Sequence, residues 1–185
     1  MIKEKKGTLV LVSAPSGGGK NAIIRALLDR FVGVTQLVTT TTRDKRPGEK
    51  EGVDYYYISK KTFEEKIAEN AFVEYNEYAG NLYGTQWAHL NAALDQYNIV
   101  FSQAEVHGKT HLDELGVPHI SIFLLPENLE ILRGRIEKRG GTTEESIKAR
   151  LETAKEEIAN SHGYDLRIEN KDGFMEETIE QIAQY

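Results

Sequence analysis

The chain has 185 residues, which suits one α/β domain with a substantial core and is too short for two typical domains. Hydrophobic residues make up 39% and charged residues 28%, ordinary for a globular protein, and the formal net charge of −6 leaves no overall positive field to attract a nucleic acid backbone. There is no cysteine, which excludes disulfides, thiolate metal sites and a cysteine nucleophile.

After Met1 to Lys6 comes only a short apolar run, Leu9 to Val12. It is too short for a signal-peptide core or a membrane span, so the cytoplasm is the expected compartment and no membrane partner is expected. Thr8 to Ser13 (TLVLVS) predicts a strand buried on both faces. APSGGGK (14–20) follows, and then a helical pattern through Ile23, Ile24, Leu27, Leu28 and Phe31. Strand, glycine-rich turn and helix form the first unit of a parallel sheet. Helices are expected near 61–70, 86–97, 127–138, 143–160 and 174–184. Further strands are expected at Ile99 to Phe101 and His119 to Leu125, with an edge-like one at Tyr164 to Glu169. The alternation predicts a parallel sheet with helices on both faces.

Two regions break that rhythm. Residues 39–84 carry a charged turn, RDKRPGEKEG, and tyrosine-rich short strands, so an inserted antiparallel lobe is expected there. Residues 133–150 carry Arg133, Arg135, Lys138, Arg139, Lys148 and Arg150 around Gly140-Gly141, and such a basic, glycine-hinged stretch is a candidate lid. His89, His107, His111, His119 and His162 show no metal spacing.

The glycine-rich turn follows the P-loop pattern of Gly, four residues, Gly-Lys, then Ser or Thr. Ser16 precedes Gly17, Gly18 and Gly19, which let backbone N–H groups converge on phosphate oxygens at the start of a helix. Lys20 supplies a point charge for the terminal phosphates. Two positions depart from the pattern: Ala14 replaces the first glycine, and Asn21 replaces the hydroxyl that normally binds magnesium. The reading is nucleotide binding.

TTTTRDKRPGEKEGVDYYYIS (39–59) and FVEYNEYAGNLYGT (72–85) resemble the GMP-binding lobe of guanylate kinase. The resemblance implies that the Thr39 hydroxyl contacts the guanine carbonyl and that Arg43 and Arg46 hold the GMP phosphate with Tyr55 and Tyr83. It further implies that Glu74 accepts from the guanine ring N–H and amino groups, with Thr85 beside it. The chemistry agrees: a carboxylate suits the donor edge of guanine and repels the acceptor nitrogen of adenine, and an arginine fork suits phosphate. PENLEILRGRIEKRGGTTEESIKARL (126–151) resembles the family's lid, with Arg135, Arg139 and Arg150 at matching positions to close over ATP and meet charge on the transferred group. IENKDG (168–173) resembles the segment lying against adenine, which points to Asn170. The ATP side is then Ser16, Gly17, Gly18, Gly19, Lys20, Asn21, Ala22, Arg139 and Asn170.

The family usually carries Asp-x-Asp where this chain has Gln103-Ala104-Glu105. Gln103 replaces the aspartate that helps organise magnesium, and Glu105 keeps, one methylene longer, the carboxylate that helps read guanine. Asn21 and Gln103 are thus weak, water-mediated magnesium ligands at best, and reduced activity is expected of them.

The fold class implied is α/β, a P-loop NTPase fold with a parallel sheet flanked by helices, a small inserted antiparallel GMP-binding lobe (about 39–85) and a helical lid (about 133–150). The core would comprise about 1–38, 86–132 and 151–185. The activity implied is transfer of the γ-phosphoryl group from ATP, with Mg2+, to GMP or dGMP. The catalytic set is Lys20, Arg43, Arg46, Arg135, Arg139 and Arg150, in a monomer or homodimer that binds no nucleic acid. Two alternatives stay open at this point: a related kinase with a ribose bisphosphate acceptor, and a catalytically impaired module that binds a phosphorylated peptide through Arg43, Arg46 and Tyr55.

Overall fold

The computed structural model describes residues 7–78, 80–138 and 143–185. In chain order its elements are β1 (Thr8–Ser13), α1 (Lys20–Arg30), β2 (Val34–Gln36), β3 (Thr40–Thr41), β4 (Tyr56–Tyr57), α2 (Lys60–Ala68), β5 (Phe72–Tyr78), β6 (Asn81–Gln86), α3 (Trp87–Gln96), β7 (Ile99–Gln103), α4 (Val106–Glu114), β8 (Ile120–Leu125), α5 (Leu129–Lys138), α6 (Glu144–Ala159), β9 (Leu166–Glu169) and α7 (Met175–Gln184). A 3-10 turn at Asn160–Gly163 precedes β9.

The strand β1 lies at the centre of a five-stranded sheet of order β2-β7-β1-β8-β9, and every pairing in it is parallel. Because successive strand side chains alternate, Val10 and Val12 enter one core and Leu9 and Leu11 the other. The first core is closed by Ile23, Ile24 and Leu27 of α1 and by Ile179 and Ile182 of α7. The second is closed by Leu90 and Leu94 of α3 and Leu112 of α4. Helices therefore cover both faces, as the alternation of the sequence implies, and β9 forms an edge. The strand β7 runs two residues beyond the apolar Ile99 to Phe101, which carries Gln103 to the carboxyl edge of the sheet.

A second sheet, β4-β3-β6-β5, makes up the lobe. Its β3–β6 and β5–β6 pairs are antiparallel, and the two-residue β3–β4 pair is parallel. The lobe has its own aromatic anchor: Phe63 of α2 is fully buried and stacks on Phe72, ring centres 4.2 Å apart.

At the other end, α5 and α6 share a separate small core of Leu132, Ile136, Ile147 and Ala154. Thr143 caps α6 by accepting from the Ser146 N–H at 3.3 Å. The Gly140-Gly141 pair expected to hinge the lid lies outside the described residues. Among the described residues, no helix is long and apolar enough to cross a membrane.

The sheet core makes a direct prediction. Phe123 of β8 is fully buried and meets Tyr164 edge-on at 5.2 Å. Phe123→Ala is expected to cost about 3–5 kcal/mol, read as a lower urea midpoint with an unchanged slope.

Candidate active site

The loop between β1 and α1 bends back toward the sheet through Gly17 and Gly19, whose φ values of 88° and 92° fall in the left-handed region. A Cβ on Gly19 would come within 2.5 Å of Asn170 Nδ2, and one on Gly17 would press on Ile136 and Leu132 of α5. Asn170, itself buried, donates from Nδ2 to the Gly18 carbonyl at 2.9 Å and accepts from Thr178 Oγ1 at 3.3 Å. It braces the loop from behind. Lys20 Nζ donates to the Ala14 carbonyl.

The loop opens onto a cleft of about 740 Å³. Residues Ser16 to Ala22 line it on one side, and Gln103 and Glu105 lie beneath. The opposite wall is one face of α6, which presents Ser146, Arg150, Thr153 and Glu157 at helical spacing. Burial raises the Glu157 carboxyl pKa above the usual range, with Lys20 pulling it down and Glu105 pushing it up.

Of the four cations expected on the donor side, Lys20, Arg135, Arg139 and Arg150, three are described, and they are placed differently. Lys20 and Arg150 line the cleft. Arg135 instead turns to the β9–α7 connection: Nε donates to Asp172 Oδ1 at 2.9 Å and Nη2 to the Asn170 carbonyl at 3.1 Å. Its Nη1 is buried without a hydrogen-bond partner among the described residues. Arg139 lies outside the described residues.

A second cleft, also about 740 Å³, lies between the lobe and α4. Thr39, Glu74, Tyr83 and Glu105 line it, together with Trp87 and His107. Glu74 Oε1 accepts from Thr85 Oγ1 at 2.7 Å, so Thr85 fixes the carboxylate from the adjoining strand. Gly84 keeps this corner open: a Cβ there would fall 2.9 Å from the Glu74 carbonyl. Gln86 Nε2 donates to Thr40 Oγ1 at 2.7 Å in the buried base of the lobe.

Arg43 and Tyr55 do not line that cleft but adjoin it through Tyr83. Arg43 lies over the Tyr55 ring at 5.4 Å, and Tyr55 meets Tyr83 edge-on at 6.0 Å. Arg43 Nη2 also donates to Glu49 Oε1 at 2.7 Å. The Arg43 bond, followed by the Arg46 backbone N–H, holds the Glu49 carboxyl down at about 2. Arg43 is correspondingly raised, and burial with the Glu49 contact pushes Tyr57 up to about 12. Arg46 is exposed.

The two clefts meet on a common floor, because Lys20, Gln103 and Glu105 line both. A hydrogen-bonded chain underlies that floor: the Tyr164 hydroxyl donates to Ser13 Oγ at 2.8 Å, and Ser13 Oγ donates to the Ala104 carbonyl at 2.7 Å. Asn21 and Gln103, whose amides are neutral, line the first cleft together with Glu105 and Glu157. That donor set suits a magnesium ion that keeps much of its water and takes its charged ligands from phosphate.

Sequence reasoning alone does not single out Glu49, Tyr57 or Glu157. Glu49 and Tyr57 sit inside the RPGE and DYYY segments of the lobe, so a signal for them is present. Glu157 has none, since only the packing of α6 buries it.

The guanylate kinase family model matches residues 6–185. The guanylate kinase of Prochlorococcus marinus subsp. pastoris is 37% identical over 174 residues, covering 94% of each chain. That of Lactococcus lactis subsp. lactis is 40% identical over 166 residues, covering 90% of this chain and 81% of the relative. Among solved structures, guanylate kinase from Anaplasma phagocytophilum superposes with a TM-score of 0.69 at 27% identity, covering 98% of this chain and 85% of that one.

Asn170→Ala removes the loop's brace and leaves the Gly18 carbonyl unpaired. The expected cost is about 1–3 kcal/mol of stability, measured by urea unfolding, together with weaker binding of a non-hydrolysable nucleoside triphosphate by calorimetry.

Proposed function

Because the chain belongs to the guanylate kinase family, we propose that its two clefts are the donor and acceptor sites of one phosphoryl transfer, from ATP to GMP, giving ADP and GDP. The observation that carries this reading is the shared floor. A donor on the glycine-rich loop and an acceptor under the lobe would both place their reacting ends over Lys20, Gln103 and Glu105.

An oxygen of the GMP phosphate attacks the γ-phosphorus in line, the bond to the β,γ-bridging oxygen breaks, and ADP leaves with that electron pair. The attacking oxygen is already anionic at neutral pH, so no strong base is required. Catalysis is then positioning and charge neutralisation. Loop N–H groups and Lys20 hold the donor phosphates, and Arg150 reaches them from α6. Arg43, Arg46, Tyr55 and Tyr83 hold the acceptor phosphate, while Thr39, Glu74 and Glu105 read the guanine edge. Arg135 reaches the donor only after leaving Asp172, and Arg139 completes the lid set.

Asn21 and Gln103 would hold Mg2+ through their amide oxygens and intervening water. When bound, the ion neutralises charge on the donor phosphate oxygens. Amide oxygens bring no negative charge, so this chain holds the metal mainly through the nucleotide.

The test is a coupled ADP-release assay with GMP, AMP, UMP and ribose 1,5-bisphosphate as acceptors. GMP is expected to exceed AMP by roughly 10- to 100-fold for each hydrogen bond that adenine cannot make, and Glu74→Gln is expected to weaken GMP without changing ATP binding. Equal rates with GMP and AMP would contradict the assignment of Glu74.

A further inference from the structure

Within the lobe, the Glu49 carboxylate collects donors from three separate places. Arg43 Nη2 reaches Oε1 at 2.7 Å, while the Arg46 backbone N–H and the Tyr57 hydroxyl each reach Oε2 at 2.8 Å. The Glu49 N–H returns a bond to the Arg46 carbonyl at 3.1 Å, so main chain and side chain hold the same turn. The Glu49 and Arg43 side chains are only 19% and 13% exposed, unlike most other ion pairs among the described residues. A carboxylate gripped by three donors, two of them outside the pair, does not depend on Arg43 to stay in place.

Arg43, in turn, is engaged but not saturated, and Tyr83 lies within hydrogen-bonding reach of it as well. Nη2 is directed at Glu49 and Nη1 donates to the Asp44 carbonyl at 2.7 Å. The plane lies over Tyr55 at 5.4 Å and Tyr57 at 6.0 Å. A guanidinium carries five N–H donors in a rigid fork, so these bonds set its plane and leave donors over for an anion.

We propose that Glu49 is a positioning residue for the acceptor phosphate: it fixes the Arg43 fork in advance, and it leaves the exposed Arg46 as the cation that adapts to the ligand. The proposal rests on the reading that Arg43 and Arg46 hold the GMP phosphate. Two arginines against one carboxylate still leave a net positive charge for that phosphate. Fixing a long side chain before binding removes an ordering cost that the ligand would otherwise carry. An arginine without such a partner would keep its charge and lose its aim.

The distinguishing measurement compares GMP with guanosine, which has the same base and no phosphate, by NMR titration of wild type, Glu49→Gln and Tyr57→Phe. Glu49→Gln is expected to weaken GMP about tenfold, and Tyr57→Phe, which removes one of the three donors, about threefold. Guanosine affinity should not change in either variant. In turnover the loss should appear in KM for GMP more than in kcat. Equal weakening of GMP and guanosine would overturn the proposal, since Glu49 would then only support the lobe. Tighter GMP binding by Glu49→Gln would overturn it too, making Glu49 a competitor for the phosphate position, and so would an unchanged GMP affinity. Should Glu49→Gln fail to fold, Tyr57→Phe gives the same comparison. If wild type binds guanosine as well as GMP, the phosphate assignment of Arg43 and Arg46 itself fails, independently of Glu49.

Discussion

The parallel register of β1 on β7 is the constraint from which the site follows. It pairs Val12 with Gln103, so the glycine-rich loop leaves the sheet beside the end of β7. The Ser13 hydroxyl then bonds the Ala104 carbonyl, and Tyr164 secures Ser13 from the far side. One lysine can consequently face both clefts. A slip of one residue would turn Leu9 and Leu11 into the wrong core and separate Lys20 from Gln103 and Glu105. The apolar packing on the two faces of the sheet is therefore also what aligns Lys20 with Gln103 and Glu105.

Around that fixed floor, the cations differ in how far they are already placed. Lys20 and Arg150 face the first cleft, and Arg43 is aimed by Glu49. Arg135 is engaged elsewhere, on Asp172 and the Asn170 carbonyl. The close approach of Gly17 to Ile136 and Leu132 ties α5 to the loop, so the cleft's outer wall is left to α6. Pre-placed charges cost no reorganisation during the transfer. Under the proposed transfer, closure of the lobe and α6 over the shared floor is the step left to the bound nucleotides.

Much of this is legible in the sequence because the signals are local. TLVLVS before a glycine cluster and an amphipathic helix specifies a strand-loop-helix unit by periodicity alone, and the segments that resemble a GMP-binding lobe are contiguous motifs. The helix α4 is not legible, because VHGKTHLDE buries only Leu112 and shows no apolar stripe. The strand β2, three residues long, is too short for a pattern. The Arg135–Asp172 bond, the Asn170 brace and the burial of Glu157 join residues far apart in the chain, and no spacing rule reports them. Glu49 lies between: its motif is visible in the sequence, but its three donors come together only once the lobe is folded.

That both clefts serve one reaction is tested most directly by small-angle scattering with a bisubstrate analogue, adenosine and guanosine joined through a polyphosphate. If the two nucleotides meet over Lys20, Gln103 and Glu105, the analogue should bind one per chain and reduce the radius of gyration as the lobe and α6 close. An unchanged radius with the analogue bound, or two analogues bound per chain, would contradict a single joined site.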